Sequence, residues 1–576
     1  MHADHGFSNI QNPRTELKVN NMSNKYSHSL VFLLLATVFT TSAPAVPGEG
    51  TRIMISAPSD YAVAAGKAVS AKGGNLIDVA VAVGLTLAVT NPYNASLGGG
   101  GFALVSMGRG VEVLDFRESA PAATSPEFYV KRAKGDSING GAAVGVPGVA
   151  AGLWALHDRY GELKWTALFD TALDLATRGM EVNGVWSRNT EAQKDRLNPA
   201  GIKHFFKSPG QHYRPGETFS QPALAQALEL FRSRGPDAIY KGSVAQDIVA
   251  AVTASGGVVS MDDLASYKVR WLKPLETEFS GYRVYMMPPP SSGGAVIKAA
   301  LELIEKVNLR AQQPLSVNEI HLLAEVLNRS FRGRALLGDP DYHDNPFAKI
   351  LSDGYLDEMA HSIDLSRAVQ LEPLLDKPLD DSNETTHFSI LDADGNAISL
   401  TVTLNGGYGS GVVSEKYGIS LNNEMDDFTT RPGEPNMFGL MQGFGNRVQP
   451  GKRPLSSMSP TLVEKDGRII MSLGAAGGPR IISSVIQTIY RVLVTGLDID
   501  RAVQFPRVHH QFLPNKLYLD EFKFSPEVVA GLEQRGHETV AQRPSYLGRI
   551  KAVRLNEKNY LEATFDNRSE GAVGGY

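Results

Sequence analysis

The 576-residue sequence contains no cysteine. This absence excludes disulfide bonds, thiolate metal sites and a cysteine nucleophile, so both stability and catalysis must rest on other residue types. A chain without cysteine is compatible with export from a bacterial cell.

The chain also lacks an excess of positive charge. There are 56 Lys and Arg residues against 61 Asp and Glu residues, so the formal net charge is −5, and no basic block stands out. This balance argues against nucleic acid as a partner and favours a small molecule or a peptide. Apolar residues make up 42% of the chain and charged residues 20%, which are values of a globular protein with a sizeable core.

Long hydrophobic runs are missing except near the amino end. There Lys25 precedes an apolar run at 30–39, and Ala-Pro-Ala at 43–45 supplies a small-x-small cleavage pattern. The run is shorter than the ~20 residues that a transmembrane helix needs. We therefore predict a leader and signal peptide over residues 1–45, a mature start near Val46, and a location in the bacterial periplasm or outside the cell. A start at Met22 would give a conventional signal length, and an amino-terminal membrane anchor is the alternative.

The rest of the chain mixes helical and strand periodicities. Apolar spacing and glycine stops predict helices at 61–72, 78–89, 149–160, 224–235 and 316–337. Alternation predicts strands at 101–107, 111–117 and 276–287, the first two paired around a Gly-Arg-Gly turn at 108–110. Strands return after residue 385, where Asp394-Gly395 is typical of a hairpin turn. Helices outside and strands inside suit an α+β fold, a four-layer αββα sandwich.

The most informative junction lies where a polar linker at 371–384 changes into a predicted strand that begins with Thr385. A threonine hydroxyl is a weak nucleophile, and one way to activate it is to use the residue's own α-amine as the base. A free α-amine has a pKa of about 7.7–8.0, so a good fraction of it is neutral near pH 7. The chain would have to be cut after Glu384 to create that amine.

Motifs on both sides of this junction closely resemble those of the γ-glutamyltranspeptidase family. The carboxy-terminal matches are Thr-Thr-His-Phe-Ser at 385–389, Leu-Asn at 404–405, Asn-Asn-Glu-Met-Asp-Asp-Phe at 422–428, Lys-Arg-Pro-Leu-Ser-Ser-Met-Ser-Pro-Thr at 452–461 and Gly-Gly-Pro-Arg at 477–480. The amino-terminal matches are Lys-Gly-Gly-Asn at 72–75, Leu-Gly-Gly-Gly-Gly-Phe at 97–102, Asp-Phe-Arg-Glu at 115–118, Pro-Pro-Pro-Ser-Ser-Gly-Gly at 288–294 and Leu-Gly-Asp-Pro-Asp at 337–341. These ordered matches cover essentially the whole chain after the predicted signal peptide.

The resemblance implies an N-terminal-nucleophile hydrolase fold and a precursor that cuts itself between Glu384 and Thr385. The expected products are a large subunit, 46–384, and a small subunit, 385–576, which remain together as a heterodimer with one joint catalytic domain. The implied activity is γ-glutamyl transfer and glutathione hydrolysis. Thr385 attacks the γ-carbonyl of glutathione or a related γ-glutamyl compound, and water, an amino acid or a dipeptide accepts the acyl group. No cofactor, metal ion, nucleic acid or stable membrane span is implied.

The resemblance also implies roles for individual site residues. The catalytic ones are Thr385 as nucleophile, Thr403 as its supporting hydroxyl, and Gly477 and Gly478 as oxyanion-hole donors. The substrate-binding ones are Arg117, Ser456 and Ser457 for the α-carboxylate, Glu424 and Asp427 for the α-ammonium, and Asn405 as a further contact. The residue types suit these roles, because glycine amides reach an oxyanion without a side chain in the way and a guanidinium binds a carboxylate in a bidentate manner.

Three further features qualify this assignment. Some relatives have glutamine at the position of Glu424, so here two carboxylates would face the ammonium. The segment 432–450 matches a lid loop in which Phe438 replaces an expected tyrosine, and we therefore expect a looser lid and an altered balance between hydrolysis and transfer. The pair His509-His510 lacks a third ligand at usable spacing, which favours ordinary packing over a metal site.

Two other functions stay open at this stage. One is an acylase of the same superfamily that acts on glutaryl-cephalosporin-type amides, which have no α-ammonium for Asp427 and Glu424 to bind. The other is a non-catalytic periplasmic binding protein on the same fold, against which Thr385 and the Gly477-Gly478 pair argue. A denaturing gel would separate this second alternative from a self-processing enzyme, since a binding protein should remain one chain.

Overall fold

The computed structural model describes residues 48–371 and 385–576. The predicted leader at 1–45, the predicted start near Val46 and Glu384, on the amino side of the predicted cut, lie outside these ranges. Within them, no helix combines the length and the hydrophobicity that crossing a bilayer requires. Strands and helices are numbered below in chain order.

Two seven-stranded sheets, in which every neighbouring pair of strands is antiparallel, form the centre of the molecule. In spatial order the first sheet consists of β1 (Gly48–Gly50), β20 (Leu561–Phe565), β19 (Arg549–Leu555), β15 (Arg468–Ala476), β14 (Thr461–Lys465), β11 (Tyr282–Met286) and β10 (Leu275–Phe279). The second consists of β21 (Ala572–Gly575), β2 (Ile53–Ala57), β12 (Thr385–Asp392), β13 (Ala397–Thr403), β3 (Gly100–Ser106), β4 (Val111–Phe116) and β9 (Arg270–Leu272).

Helices cover the outer face of each sheet. The apolar core on the second sheet includes residues from α1 (Asp60–Ala71), α2 (Leu76–Thr90), α3 (Val149–Tyr160), α4 (Asp170–Arg178), α5 (Gly184–Ala192), α6 (Pro199–Phe205), α7 (Pro222–Arg234), α8 (Asp237–Tyr240), α9 (Ser243–Ala254) and α10 (Met261–Ser266). The first sheet is covered by helices from α11 (Gly293–Lys306), α12 (Val317–Arg332), α13 (Phe347–Ile350), α14 (Asp353–His361), α15 (Arg480–Leu493), α16 (Ile499–Gln504) and α17 (Pro526–Gln534).

The remaining regular elements are short. In the described part of the chain, three small sheets pair β16 (Val508–His509) with β17 (Leu517–Asp520) and β18 (Thr539–Gln542), β5 (Met180–Glu181) with β8 (Thr218–Phe219), and β6 (Phe206–Ser208) with β7 (Gln211–His212). Single 3₁₀ turns occur at Gly141–Ala143, Trp165–Leu168, Leu309–Ala311, Gly333–Leu336, Glu424–Asp427, Phe444–Asn446 and Pro544–Tyr546.

Side-chain alternation along the strands builds two cores. In β2, Ile53 and Ile55 face the helices of the second sheet, whereas Met54 faces the first sheet. Successive side chains of a strand point to opposite faces, so each central strand contributes to both cores. The predicted αββα sandwich is therefore confirmed, with the two sheets packed face to face between layers of helices.

Helix α2 supports the strand that begins with Thr385. All fifteen of its residues are buried, because it lies against β12 and β13 on one side and other helices on the other. Its start is set by a capping box, in which the Asn75 side chain accepts from the Asp78 amide and the Asp78 carboxylate accepts from the Asn75 amide. This helix confirms the prediction of a nearly all-apolar buried segment at 78–89.

Most predicted elements are confirmed, and one is wrong. The helices at 61–72, 149–160 and 224–235, the strand pair at 101–117 and the hairpin around Asp394-Gly395 are all present within a few residues. The predicted single strand at 276–287 is instead two paired strands, β10 and β11, joined at Ser280-Gly281. Both joining residues have positive φ, of 53° and 81°, which turns the chain back on itself where the apolar positions change from Leu275 and Phe279 to Tyr282, Val284 and Met286.

Both sheets contain strands from either side of residues 372–384. The second sheet places β12 and β13 between β2 and β3, and the first places β14 next to β11. The part at 48–371 and the part at 385–576 therefore share continuous hydrogen-bonded sheets and a common core.

Candidate active site

Thr385 is the first residue of β12, a central strand of the second sheet. In the β12–β13 hairpin it lies directly opposite Thr403, and the two hydroxyl oxygens are 3.2 Å apart. The Thr403 hydroxyl also accepts a hydrogen bond from the Asn405 amide at 2.8 Å, which fixes its position beside Thr385. The hairpin register, set by the turn at Asp394-Gly395, thus brings two predicted catalytic residues together.

The neighbouring His387 does not serve as a base for Thr385. Its two ring nitrogens contact the hydroxyls of Thr401 at 2.8 Å and Ser389 at 3.0 Å. Burial lowers the pKa of His387 to about 3, with the nearby charge of Lys551 adding to the effect. The ring is therefore neutral and occupied by neighbours on its own hairpin.

Gly477 and Gly478 form the turn between β15 and α15. Their φ angles are 132° and 57°, a region that L side chains rarely adopt. A Cβ atom at Gly477 would lie 3.1 Å from the Gly548 Cα, and one at Gly478 would lie 3.0 Å from the Phe438 ring. The turn also stands at the amino end of a helix, where backbone N–H groups and the helix dipole favour negative charge.

Arg117 follows β4 and is fully buried. Its Nε donates to the Pro454 carbonyl at 3.2 Å, and its backbone carbonyl accepts from the Tyr267 hydroxyl at 2.8 Å. The two terminal nitrogens form ion pairs with Glu424 and with Asp427, the latter at 2.6 Å. The guanidinium is thus anchored through its Nε atom. Its terminal nitrogens point at the two carboxylates that the motifs predict to bind the α-ammonium of the substrate.

Glu424 and Asp427 project from the same 3₁₀ turn, Glu424–Asp427. The Oδ1 atom of Asp427 accepts from the Asn436 side chain at 2.9 Å, so this carboxylate is held from two sides. The Oε2 atom of Glu424 is buried and has no hydrogen-bond partner among the described residues. Glu424 therefore keeps one oxygen available within the site.

Burial controls the protonation of this charge cluster. It lowers the pKa of Arg117, but the ion pairs with Glu424 and Asp427 outweigh it and leave that pKa above its ordinary value. Burial raises the pKa of Glu424 and Asp427 despite the attraction of Arg117. A third carboxyl, Glu118, lies 3.9 Å from Arg117, and burial raises its pKa to about 8. Three carboxyl groups thus share one guanidinium, and a protonated Glu118 reduces the repulsion among them.

The predicted serines and Asn405 lie next to this cluster. Ser456 is anchored through its carbonyl, which accepts from the amide and the hydroxyl of Ser292 at 2.8 and 2.7 Å. The Ser457 hydroxyl is buried and has no hydrogen-bond partner within the described part of the chain. Asn405 adopts a positive φ of 74° and donates from its side chain to the Asn423 carbonyl at 3.2 Å.

One small cavity of about 20 Å³ unites these residues. Nine of the ten predicted site residues line it: Arg117, Thr385, Thr403, Asn405, Glu424, Asp427, Ser456, Ser457 and Gly478. The tenth, Gly477, precedes Gly478 in the same turn. Phe438, Met458 and Ile481 complete the lining. A cavity of this size holds roughly one water molecule, so a larger ligand requires its walls to move.

Phe438 covers the cavity from the predicted lid segment, 432–450. Its side chain is buried together with Met437 and Leu440. Its carbonyl accepts from the Gln511 side chain at 3.1 Å, and its amide donates to the Asn436 side chain at 3.1 Å. Because Asn436 also contacts Asp427, the lid and the charge cluster are linked through one amide side chain.

Thr385 also lines a second and larger cavity. It has a volume of about 250 Å³ and begins where β2 ends, since β2 pairs only with residues 389–392 of β12. Its charged lining residues are Arg188, Arg543, Arg549, Lys551, Arg568 and Glu570. Thr385 therefore lines both a small cavity with an arginine–carboxylate cluster and a larger cavity with five cationic side chains.

Three contributors to the site were not predicted from the sequence. Glu118 stands within the Asp-Phe-Arg-Glu motif without a predicted role, and its position next to Arg117 was the available signal. Met458 follows the two predicted serines and lines the cavity. Ile481, in the first turn of α15, does so as well, and no pattern in the sequence marks it.

His509 and His510 are buried and hydrogen-bonded to Gln511 and Asn515.

Similarity to known proteins extends over most of the chain. A family model described as gamma-glutamyltranspeptidase matches residues 62–576. A glutathione hydrolase proenzyme of Pseudomonas sp. (strain A14) is 39% identical over 485 residues, covering 82% of this chain and 84% of the relative. A glutathione hydrolase proenzyme of Escherichia coli (strain K12) is 36% identical over 542 residues, covering 92% and 93%. The crystal structure of cephalosporin acylase from Bacillus halodurans has a TM-score of 0.83 at 23% identity and covers 95% of this chain and 99% of that one, a likeness of fold alone.

Proposed function

The chain belongs to the gamma-glutamyltranspeptidase family, and from this premise we propose how its own residues carry out γ-glutamyl transfer and glutathione hydrolysis. The observation that carries the proposal is the position of Thr385. It begins a central strand, its hydroxyl lies 3.2 Å from that of Thr403, and it lines one cavity with Arg117, Asp427 and Gly478. A nucleophile, an oxyanion turn and a charge pair for a zwitterionic substrate thus converge on one point.

The first step is cleavage of the precursor between Glu384 and Thr385. The Thr385 hydroxyl attacks the Glu384 carbonyl, the peptide nitrogen leaves as the Thr385 α-amine, and water hydrolyses the resulting ester. The products are a large subunit at 46–384 and a small subunit at 385–576. Because both sheets contain strands from either side of the cut, we expect the two chains to remain associated.

The same hydroxyl then attacks the γ-carbonyl of the donor. The Thr385 α-amine accepts the hydroxyl proton, and the amides of Gly477 and Gly478 stabilise the oxyanion of the tetrahedral intermediate. Collapse of the intermediate releases the amine portion of the donor, which takes the proton, and leaves a γ-glutamyl ester on Thr385. Water, an amino acid or a dipeptide then attacks the ester, which restores the free hydroxyl.

Donor recognition uses the charge cluster of the small cavity. Arg117 binds the α-carboxylate with help from the Ser456 and Ser457 hydroxyls, while Asp427 and Glu424 bind the α-ammonium and Asn405 adds a polar contact. The Ser457 hydroxyl and Glu424 Oε2, which have no hydrogen-bond partner among the described residues, support this assignment, because buried polar atoms are normally paired. Binding must separate Arg117 from Glu424 and Asp427, so the two internal ion pairs are replaced by pairs with the carboxylate and the ammonium of the substrate.

The larger cavity suits the other half of the donor and the acceptor. It is lined by Thr385 but not by Arg117, Glu424 or Asp427, and it has room for a dipeptide, at about 250 Å³. Its cationic lining complements the free carboxylate that glutathione carries at its glycine end and that amino acid acceptors also carry. We place the leaving amine and the acceptor in this cavity.

The location we propose is the periplasm or the exterior of a bacterial cell. The support is the sequence pattern near the amino end, where a lysine, a short apolar run and a small-x-small site follow one another within residues 25–45. Amino-terminal sequencing of the protein recovered from a periplasmic fraction tests this, and a chain that begins before residue 30 in the cytoplasmic fraction contradicts it.

A matched pair of variants tests the role of Thr385. Thr385→Ala removes the hydroxyl, so the protein should stay one chain on a denaturing gel and should release no chromophoric amine from a γ-glutamyl anilide. Thr385→Ser keeps a hydroxyl and should retain slower processing and activity. Cleavage at 384/385 or amine release by Thr385→Ala would overturn the proposal. A parent that shows neither cleavage nor amine release would overturn it as well and would favour a binding protein.

A further inference from the structure

A buried group of potential metal ligands lies outside the active site. His321 and Glu325 belong to α12, and His537 follows α17. All three side chains are buried, and one candidate ligand atom from each lies within 4.8 Å of the others. The shortest contact joins His321 Nδ1 to His537 Nε2 at 2.8 Å. Two imidazoles and a carboxylate thus face one another. One imidazole and the carboxylate belong to the part at 48–371, and the other imidazole belongs to the part at 385–576.

The helix brings two of these ligands onto one face. His321 and Glu325 are four residues apart, which places their side chains one above the other on α12. The far nitrogen of His321, Nε2, lies 2.8 Å from the Asp364 carbonyl and therefore carries a hydrogen that it donates. Its Nδ1 lone pair is left pointing at His537. A backbone carbonyl on the far nitrogen is the arrangement that commonly orients a metal-binding imidazole.

The Glu325 carboxylate is held in place in a similar way. One oxygen accepts from the Val369 amide at 3.2 Å, and the other accepts from Arg329 at 2.5 Å. Each carboxylate oxygen has two lone pairs, so these contacts leave acceptor capacity for a metal ion. The carboxylate is thus fixed beside the two rings.

Without a metal, the two rings satisfy each other through one hydrogen bond, which His537 Nε2 donates to His321 Nδ1. A neutral imidazole carries one hydrogen, on either ring nitrogen. Coordination through His537 Nε2 therefore requires this hydrogen to move to the Nδ1 atom of the same ring.

We propose that His321, Glu325 and His537 form a binding site for a divalent transition metal ion of the zinc class. Two nitrogen ligands and one oxygen ligand match the preference of Zn²⁺, whereas Ca²⁺ and Mg²⁺ prefer all-oxygen sites. Zinc–nitrogen bonds of about 2.0–2.1 Å in tetrahedral geometry separate two nitrogens by roughly 3.3 Å. The two rings therefore need to move apart by about half an ångström from their 2.8 Å contact.

The position of the site gives it a structural consequence. Two ligands lie in the part at 48–371 and the third in the part at 385–576, so a bound ion links them directly. If the chain is cut at 384/385 as proposed above, the ion clips the two subunits together. Metal binding itself does not depend on that cut.

Direct zinc binding tests the proposal. The full protein is treated with a chelator, dialysed, and titrated with Zn²⁺ by calorimetry, with bound metal measured after gel filtration. We expect one ion per molecule in the parent, and affinity at least tenfold weaker in His537→Gln and in Glu325→Gln. The control is His361→Gln, which changes an exposed histidine on α14 and should leave zinc binding unaltered.

A fourth variant shifts affinity in the opposite direction. Arg535 contributes positive charge near both rings, so Arg535→Gln should bind Zn²⁺ several-fold more tightly than the parent. X-ray absorption at the zinc edge of the parent supplies an independent readout that does not depend on variant folding. It should show two imidazole nitrogens and one carboxylate oxygen in the first coordination sphere. Absence of retained zinc, equal affinity in His537→Gln, or a different ligand set would overturn the proposal.

Discussion

The guanidinium of Arg117 lies 2.6 Å from the carboxylate of Asp427, although the two residues are 310 positions apart in the sequence. The group proposed to bind the α-carboxylate of the donor and a group proposed to bind its α-ammonium thus form an ion pair with each other in the small cavity. Removing one partner of such a buried pair leaves the other uncompensated, which is costly. A zwitterionic donor avoids that cost, because it offers each group a replacement partner of the correct sign.

This exchange predicts how Asp427→Asn discriminates between donors. The substitution keeps the shape of the side chain but removes the charge that we propose to face the α-ammonium. We expect kcat/KM for a γ-glutamyl anilide to fall roughly 10- to 150-fold, because a hydrogen bond to a charged group contributes about 1.5–3 kcal/mol. A glutaryl anilide, which has the carboxylate but no ammonium, should be affected far less.

Steady-state kinetics with both anilides in the parent and the variant measure this difference. An equal loss for the two donors would show that Asp427 acts only by holding Arg117. A parent that prefers the glutaryl donor would favour the acylase alternative, against which the retained carboxylates at 424 and 427 now argue.

The site shows which contacts a sequence can predict. The Thr385–Thr403 contact follows from local information, because the turn at Asp394-Gly395 and two alternating strands set the register of the hairpin. The pairing of Arg117 with Asp427 does not, since motif positions locate both residues near the substrate without showing that they bind each other. His321 and His537 are 216 positions apart and carry no motif, so only the packing of α12 against α17 brings them together.

Some elements of the fold could likewise be predicted from the sequence and others could not. Helix α2 was predictable because its length, its cap at Asn75 and its uniform hydrophobicity agree. The hairpin of β10 and β11 was missed, although Ser280-Gly281 is a turn dipeptide and the alternation shifts by one residue there, because so short a turn barely interrupts the pattern of a single strand. The order of strands in the two sheets depends on contacts between distant segments, which periodicity does not encode.

The turn at Gly477-Gly478 predicts a kcat effect. In Gly477→Ala the φ of 132° becomes unfavourable and the new Cβ meets Gly548, so the amides that we propose as oxyanion-hole donors should shift. Loss of one such donor costs about 2.7–4 kcal/mol of transition-state stabilisation, or roughly 100- to 1,000-fold in kcat, with little change in KM. Kinetics on processed enzyme measure both constants.

A matched variant separates strain from catalysis in this experiment. Gly467 also has a positive φ, of 79°, but it lies in the turn between β14 and β15, and a Cβ added there would meet no described atom within 4 Å. Gly467→Ala should lower stability while leaving kcat near the parental value. If both variants lose kcat equally, the effect of Gly477→Ala is general destabilisation.

The lid predicts a change in the fate of the acyl-enzyme. Phe438 lies over Gly478 and has no hydroxyl to latch the lid, although its backbone is held by Gln511 and Asn436. We expect Phe438→Tyr to change the ratio of transfer to hydrolysis, because a latched lid alters the access of water relative to a larger acceptor. Product analysis with a dipeptide acceptor measures the ratio. An unchanged ratio would show that the backbone contacts alone hold the lid.

Two buried groups predict pH effects of opposite sign on stability. Burial lowers the pKa of His510 to about 4, and the charges of Arg329 and Arg332 add to the shift. The unfolded histidine titrates near 6.5, so below that pH the unfolded state binds a proton that the folded state does not, and stability falls. Between pH 7.5 and 5.5 the contribution of His510 to the free energy of unfolding should therefore fall by about 1.4 kcal/mol. Burial raises the pKa of Glu118 to about 8, so its contribution to stability increases over the same acidification.

Variants isolate each effect from the rest of the molecule. Urea unfolding is measured at pH 7.5 and 5.5 in a Thr385→Ala background, which we expect to remain a single chain. With His510→Gln added, the free energy of unfolding should fall between pH 7.5 and 5.5 by about 1.4 kcal/mol less than it does in this parent. Adding Glu118→Gln should make it more sensitive, because the carboxyl that stabilises the folded state on acidification is gone. Shifts of the same sign in the two variants would contradict the assignment of one neutral histidine and one protonated carboxyl to the folded interior.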